Sequence, residues 1–276
     1  MCTTAAEWRA ETVVRSDSRC TLARRQQAGG GSVADRRQVA TIGALYRFPV
    51  KSMGGESLQQ VALAWHGFDA DRGYAFVQSD KLVRFPWLTA REVPQLVRYT
   101  AWLADPANTR KSAVRVRTPR GDELAVDDSG LLAALQEEHG RPLHLMRLGR
   151  GAHDAAPVSV IGLGTMRAIG DQVGQALDIR RFRANIYLET ADGEPFVEES
   201  WAGRLLVFGD GPEAARLRLL RPDHRCMIVN LDPDLGVQTP SVLREIAASR
   251  ENCAGLYASV EAPGPLAVGQ PVYLDA

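Results

Sequence analysis

The 276-residue sequence predicts a mainly β protein with a few short helices, an α+β fold built from barrel-like units. Two observations favour this class. Short runs of alternating apolar residues recur along the chain, and turn residues separate them without a regular strand–helix–strand repeat. The apolar share of 45% and the charged share of 24% are those of a folded protein. At about 150 residues per domain, the length suggests two domains.

The chain divides into three predicted segments. Residues 1–40 contain a glycine-rich stretch at 29–32, follow no sustained period and are expected to form a flexible extension. Residues 41–145 should form an N-terminal domain resembling a β-barrel, and residues 146–276 a second β-barrel.

The first domain opens with a predicted strand over residues 42–48, where apolar side chains occupy every second position until Pro49 ends the pattern. Further strands are predicted at 58–64, 74–77, 96–103 and 113–118. A short helix is predicted over residues 131–139, because Gly140 supplies a stop signal directly after it.

The second domain has one longer helical signal. A strand at 158–161 leads into Gly162-Leu163-Gly164-Thr165, after which an apolar stripe with spacings of three and four residues predicts a helix. Thr239-Pro240 predicts the start of another short helix, ending near residue 248. The remaining strands are predicted at 185–188, 205–208, 216–220, 227–229, 256–260 and 272–274.

Composition excludes several classes of protein. Thirty-three basic residues balance thirty-three acidic ones, which argues against a nucleic-acid partner. No run of about 18 apolar residues is present, so no membrane helix is expected. The four cysteines form no C-x-x-C pair, which favours free thiols in a reducing, cytoplasmic compartment. The histidines form no zinc-protease or deaminase motif.

Three segments have the composition of an anion site. Lys51 and Ser52 follow the first strand and precede two glycines, a set that suits a phosphate, although a plain turn is the alternative. Arg72, Arg84 and Arg91 also follow strands, and arginine suits anions. Surface ion pairs are the alternative for these arginines.

Two further segments point to polar chemistry in the second domain. Arg183 and Asn185 share one face of a starting strand, which indicates a polar site at a barrel rim or a solvated strand edge. The helix start at Thr165 attracts anions through its free N–H groups, or is simply capped.

Cys226 is the sharpest candidate. It follows His224 and Arg225 at the start of a predicted strand, and cationic neighbours favour the thiolate form. A thiolate is a soft ligand for a redox-active metal and a reagent for sulfur chemistry. The alternative is a buried structural cysteine.

Seven segments, taken in order, resemble one family: residues 46–52, 67–72, 88–91, 181–186, 198–201, 225–226 and 266–272. The chain resembles MOSC-domain proteins with an N-terminal MOSC β-barrel domain, the family of molybdenum-cofactor proteins like the amidoxime-reducing component. The resemblance covers residues 41–276. It implies that residues 41–145 form the MOSC N-terminal domain and residues 146–276 the MOSC β-barrel.

The resemblance also implies a molybdenum cofactor (molybdopterin) between the two domains, with Cys226 as the metal ligand. It implies that the cofactor is bound by Lys51, Ser52, Arg72, Thr165, Arg183, Asn185 and Arg225. The implied activity is the reduction of small N-hydroxylated substrates such as amidoximes, hydroxylamines and N-hydroxylated bases. Electrons are then expected from a separate haem, flavin or ferredoxin protein.

One departure from the family pattern suggests a catalytic residue. Asp223 and His224 stand where relatives often carry proline, and His224 is predicted to deliver a proton to the departing oxygen. The alternative function is a protein that binds the molybdenum cofactor or carries sulfur as a persulfide on Cys226.

Overall fold

The computed structural model describes residues 36–81, 83 and 85–275. The predicted extension therefore lies outside the described residues up to position 35, and so does Arg84. The first strand begins at Arg37, four residues before the predicted domain start, and Ala40 is already buried in it.

Within the described residues the chain forms sixteen strands: β1 (Arg37–Arg47), β2 (Glu56–Leu58), β3 (Gln60–Ala64), β4 (Gly67–Phe68), β5 (Tyr74–Gln78), β6 (Thr100–Leu103), β7 (Val114–Arg117), β8 (Glu123–Ala125), β9 (Leu143–Arg147), β10 (Val158–Gly162), β11 (Ile186–Thr190), β12 (Leu205–Phe208), β13 (Ala215–His224), β14 (Cys253–Ala262), β15 (Gly264–Ala267) and β16 (Pro271–Asp275). Three α-helices accompany them: α1 (Ser129–His139), α2 (Leu163–Gln172) and α3 (Ser241–Arg250). Short 3-10 helices cover Pro94–Arg98, Ile179–Phe182, Val197–Trp201 and Met227–Asn230. The predicted class, mainly β with a few short helices, is confirmed.

Seven strands close into a barrel in the order β11-β10-β14-β13-β12-β16-β1, because β1 pairs again with β11. The two edges of β1 have different partners: Leu45 lies opposite Ile186 of β11, and Ala40 lies opposite Val272 of β16. Inward side chains such as Leu206 and Leu256 are fully buried. A strand from the first half of the chain thus completes a barrel made otherwise from the second half.

The remaining strands form smaller sheets around this barrel. β6, β7 and β8 make a three-stranded sheet, β5 pairs with β9, and β15 pairs with β3. Leu131 and Leu135 of α1 belong to the same apolar cluster as the buried side chains of β6 and β7. All described residues belong to one compact unit, so the division at residue 145 stays a prediction.

Local sequence signals explain where the predicted helices and strands agree with the structure and where they differ. Asp128 caps α1 by accepting hydrogen bonds from the N–H groups of Gly130 and Leu131, and Gly140 ends the helix with φ +73°. The strand predicted at 96–103 starts only at Thr100, because Pro94 opens a 3-10 helix before it. None of the described helices is long and apolar enough to cross a bilayer.

The strand predicted at 227–229 is wrong. Met227–Asn230 is a 3-10 helix in which the Val229 N–H donates to the Cys226 carbonyl oxygen at 3.2 Å. An apolar run of three residues fits either structure by its pattern alone. The chain turns at these residues, and Val229 packs beside α3 instead of extending β13.

Candidate functional site

A pocket opens where the loops after β1 and β4 meet the start of β11 and the end of β13. Eight of the nine predicted site residues line it together: Lys51, Ser52, Arg72, Arg183, Asn185, His224, Arg225 and Cys226. The first three come from the first half of the chain and the other five from the second half. The structure therefore brings together the two sets of residues that the sequence motifs separate by more than one hundred positions.

Lys51 supplies a buried amino group to the pocket. Its side chain is 7% exposed, and Nζ donates to the carbonyl oxygen of Ala152 at 2.7 Å and to Asp154 Oδ1 at 2.8 Å. Burial lowers the pKa of Lys51, and the carboxylate of Asp154 opposes this shift. Ser52 is buried next to it, and its hydroxyl makes no hydrogen bond to any other described residue.

Arg72 and Arg183 both lie over the ring of Phe48. Their guanidinium carbons are 5.0 and 4.4 Å from the ring centroid, within cation–π range. Arg72 pairs with the buried carboxylate of Asp71 and donates from Nη2 to the Arg183 carbonyl oxygen at 2.9 Å. Burial works to lower the pKa of Arg72, but Asp71 holds it above its usual value.

Arg183 lacks such a counter-charge. Its Nη1 donates to the Met53 carbonyl oxygen at 2.6 Å, and no carboxylate among the described residues forms an ion pair with it. Burial, followed by the positive charge of Arg72, lowers the pKa of Arg183 to about 10. Arg72 and Arg183 therefore lie together at Phe48, and of these two guanidinium groups only that of Arg72 forms an ion pair with a described carboxylate.

Three residues of the pocket have a strained backbone, among seven such non-glycine residues in the described chain. Ser52, Arg72 and Arg183 all have left-handed conformations, with φ of +65°, +51° and +52°. A left-handed conformation costs about 1 kcal/mol at each residue that is not glycine. Strain at three residues that line one pocket is typical of a site selected for binding rather than for stability.

Cys226 is half-buried and precedes the 3-10 helix as its N-terminal cap residue. Arg91 lines the same pocket, and its interaction with the Cys226 sulfur is the main cause of the raised pKa of Arg91. No group of three or more histidine, cysteine or acidic side chains in the described chain could hold a metal ion. A metal at Cys226 would therefore have to arrive with ligands of its own.

Arg225 fixes the position of Cys226. Its Nε and Nη2 donate to the Ala254 carbonyl oxygen at 2.8 and 2.6 Å, and Nη1 donates to the Phe182 carbonyl oxygen at 2.8 Å. Asp223 lies 3.1 Å from the same guanidinium. These bonds make Arg225 a positioning residue for the Cys226 turn, and its predicted part in cofactor binding stays a prediction.

Asn185 also links backbone segments around the pocket through its side-chain amide. Its Oδ1 accepts from the Ser159 N–H at 3.2 Å, and its Nδ2 donates to the Tyr46 carbonyl oxygen at 3.2 Å. These bonds join β10 and β1 at the floor of the pocket. The side chain lines the pocket while its amide links the two halves of the chain.

Thr165 does not line the pocket, which corrects its predicted role. It is fully buried, donates to Glu198 Oε2 at 2.9 Å and accepts from the Phe196 N–H at 2.7 Å. Glu198 Oε1 also accepts from the Gly162 N–H at 2.9 Å. The N-terminus of α2 does attract an anion, but that anion is the carboxylate of Glu198.

His224 lines the same pocket as Cys226 and is exposed to solvent. Its Nδ1 lies 3.4 Å from the sulfur of Cys253, and its Nε2 lies 3.2 Å from the amide nitrogen of Asn252. The ring is thus held at the rim by β14 and the turn before it. Its predicted part in proton transfer stays a prediction.

Sequence reasoning assigned no role to several pocket residues. Asp223 accepts from the Ser159 hydroxyl at 2.6 Å, Asp154 pairs with Lys51, and His153 lies 3.9 Å from Asp71. Burial, followed by the charge of Arg72, lowers the pKa of His153 to about 4. The loop that carries His153 and Asp154 has no periodic pattern, so only its proximity to Lys51 reveals these residues.

Family models and relatives agree with this architecture. The model for the MOSC N-terminal beta barrel domain matches residues 39–156, and that for the MOSC domain matches residues 137–273. The chain is 24% identical to mitochondrial amidoxime-reducing component 1 of Homo sapiens, over 86% of this chain and 84% of that protein. It is 23% identical to the protein of the same name from Mus musculus, over 86% and 83%.

Solved structures include two with a partial likeness. The YuaD protein from Bacillus subtilis has a TM-score of 0.45 and 13% identity, over 87% of this chain and 97% of that one. YiiM from Geobacillus stearothermophilus has a TM-score of 0.34 and 17% identity, over 44% and 54%. Since the two family models together span residues 39–273, the chain belongs to the proteins in which a MOSC N-terminal β-barrel domain precedes a MOSC domain.

Proposed function

We propose that this protein binds a molybdenum cofactor in the pocket, with Cys226 as the protein ligand of the metal, and reduces N-hydroxylated compounds. Membership of the MOSC family and relatives named as amidoxime-reducing components fit a function related to this cofactor. The observation that carries the proposal is the buried guanidinium of Arg183, which forms no ion pair with a described carboxylate and shares a pocket with Lys51, Arg72 and Cys226.

The residues present fit such a cofactor. A molybdopterin bears a phosphate, and a buried unpaired cation is stabilised when an anion comes to lie beside it. Arg183 and Lys51 supply the charge, and the Ser52 hydroxyl supplies a donor without another described partner. Cys226 supplies one soft sulfur ligand, as expected for a metal that brings its other ligands with it.

When bound, the cofactor supplies a two-electron reduction in which the N–O bond breaks and, with two protons, the oxygen leaves as water. The electrons come from a separate haem, flavin or ferredoxin protein. The chain's own residues hold the cofactor, orient it and supply protons. Arg225 and Asp223 fix the Cys226 turn, and the imidazole of His224 donates a proton to the departing oxygen.

Metal analysis and turnover of the purified protein test this proposal. We expect about one molybdenum per chain and reduction of benzamidoxime by a reduced viologen dye. The Cys226→Ser variant should lose both the metal and the activity, while the matched control Cys253→Ser keeps the metal. A stoichiometric persulfide on Cys226 without molybdenum would instead support the sulfur-carrier alternative.

The role of His224 needs its own measurement. Removing a proton donor should lower kcat by about 100-fold and change the pH profile of kcat. The His224→Ala variant is therefore assayed for benzamidoxime turnover from pH 5 to pH 9. If kcat and its pH profile stay the same while the molybdenum content is normal, His224 does not transfer the proton.

A further inference from the structure

We propose that Arg91 is a specificity-determining residue that selects substrates carrying a carboxylate near the reducible N–O bond. The identity of the reaction rests on the proposed function above. The anion preference itself rests on how the chain places and pairs this one guanidinium group.

A rigid turn places Arg91. The Glu92 N–H donates to the Thr89 carbonyl oxygen at 3.0 Å, and the Thr89 hydroxyl donates to Glu92 Oε2 at 2.5 Å. The Arg91 N–H donates to the Thr89 hydroxyl oxygen at 3.2 Å, while Ala90 is fully buried. These bonds fix the backbone, so the Arg91 side chain is directed into the pocket wall beside Cys226.

The nearby carboxylates are engaged elsewhere. Glu92 accepts from Thr89 and lies 3.4 Å from Lys81, which accounts for both of its oxygens. Asp154 pairs with Lys51, and Asp223 pairs with Arg225. No described carboxylate forms an ion pair with Arg91, which lines the pocket together with Cys226.

The guanidinium therefore keeps donors for a ligand. Arginine presents five N–H groups in a planar fork that matches a carboxylate in a bidentate pair. Because no described carboxylate forms an ion pair with Arg91, this fork is available in the pocket that Cys226 also lines. Because Arg91 is exposed at the rim, a ligand can reach it without displacing a buried ion pair.

An apolar wall lines the same pocket. The side chain of Phe85 is 41% exposed although it lies at the pocket, and Ile228 lines the pocket as well. The exposed ring of Phe85 and the guanidinium of Arg91, which forms no ion pair with a described carboxylate, line one pocket. Together they suit a ligand with a flat apolar body and one negative end. The substrate class is thus an aromatic or apolar N-hydroxylated compound with a carboxylate.

A pair of matched substrates tests this inference in the molybdenum-loaded enzyme. We expect kcat/KM for 4-carboxybenzamidoxime to exceed that for benzamidoxime by about tenfold, the contribution of one charge-assisted pair. Arg91→Gln should remove this preference mainly through KM, and Arg91→Lys should restore part of it. Arg150→Gln, which changes an exposed arginine outside the pocket, is the control and should keep the preference.

Equilibrium binding gives a readout that needs no turnover. Titration calorimetry of the wild-type protein with benzoate and with benzamide should show tighter binding of benzoate, lost by about tenfold in Arg91→Gln. Benzoate selectivity without reduction of either amidoxime would contradict the proposed function and leave the role of Arg91 supported. Reduction of both amidoximes with equal kcat/KM, or an equal loss for both in Arg91→Gln, would overturn the role of Arg91.

Discussion

The N-terminus of α2 and the pocket beside Cys226 are both anion sites by their chemistry, yet the chain treats them differently. At α2, the Gly162 N–H and the Thr165 hydroxyl both donate to the buried carboxylate of Glu198. In the pocket, Arg183 has no carboxylate partner among the described residues. The donors of the first site are paired within the protein, while Arg183 in the second forms no ion pair with a described carboxylate.

This difference separates stability from binding. A donor set that meets an internal carboxylate stabilises the fold and leaves nothing for a ligand. A cation without a partner, held by residues in left-handed conformations such as Ser52 and Arg72, lowers stability until an anion binds. The same local chemistry therefore has opposite roles, and the pairing of charges decides which.

The largest expected effect is on stability at α2. Glu198→Ala leaves the Gly162 N–H and the Thr165 hydroxyl buried without an acceptor, so the free energy of unfolding should fall by about 3 kcal/mol. Urea unfolding of the purified variant measures this change. Binding of inorganic phosphate to the pocket should stay the same, and a matching loss of phosphate binding would contradict the separation of the two sites.

A second effect falls on binding at the pocket. Arg183→Met removes the unpaired cation, so the affinity for inorganic phosphate should fall by about 30-fold, while the free energy of unfolding changes by less than about 1 kcal/mol. Equilibrium dialysis and urea unfolding check the two halves of this prediction. Arg167→Met, which breaks an exposed pair with Glu189, is the control and should leave phosphate binding intact.

A pH effect follows from His153. Its pKa in the folded state is about 4, below the unperturbed value of about 6.5, so the unfolded chain takes up the proton first as the pH falls. The stability from a neutral His153 is full above pH 6.5 and is lost as the pH falls towards 4, with a loss of about 2 kcal/mol already at pH 5. Urea unfolding of wild type and His153→Gln across this range measures it, and equal slopes would refute it.

The smallest effect concerns backbone strain. Ser52→Gly relieves the left-handed conformation at φ +65° and should raise the free energy of unfolding by up to about 1 kcal/mol. The same variant loses the hydroxyl and should bind phosphate a few times more weakly. Ser52→Ala, which loses the hydroxyl but keeps the strain, separates the two contributions in the same unfolding and dialysis measurements.

Prediction from the sequence worked best where local chemistry decides the outcome. α1 follows from Asp128 and Gly140, which fix both ends of the helix by hydrogen bonding and backbone freedom. The segment 227–229 was mispredicted because three apolar residues fit a strand and a turn equally well. The closure of the barrel by β1 was also missed, since no local pattern specifies a pairing over more than one hundred residues.

The site shows the same division. Lys51, Ser52, Arg72, Arg183 and Cys226 were found from the sequence because their types suit an anionic, metal-bearing ligand, and the structure brings them to one pocket. Thr165 was expected in the pocket because the sequence of a helix start is the same whether or not a carboxylate of the protein, such as that of Glu198, already binds there. The hydrogen bonds from Arg225 to backbone carbonyl groups were also not foreseen, since no motif reveals such partners.

The sequence by itself determined the mainly β class and the residue types that line the pocket, and it predicts Cys226 as a metal ligand. These depend on period, spacing and functional groups, which are local properties of the chain. Only the tertiary structure decided which charges are paired. Glu198 neutralises one donor set and Asp71 another, while Arg183 and Arg91 keep donors for a ligand. The physical reason is that electrostatic energy depends on distance and burial between groups that folding brings together from remote parts of the chain.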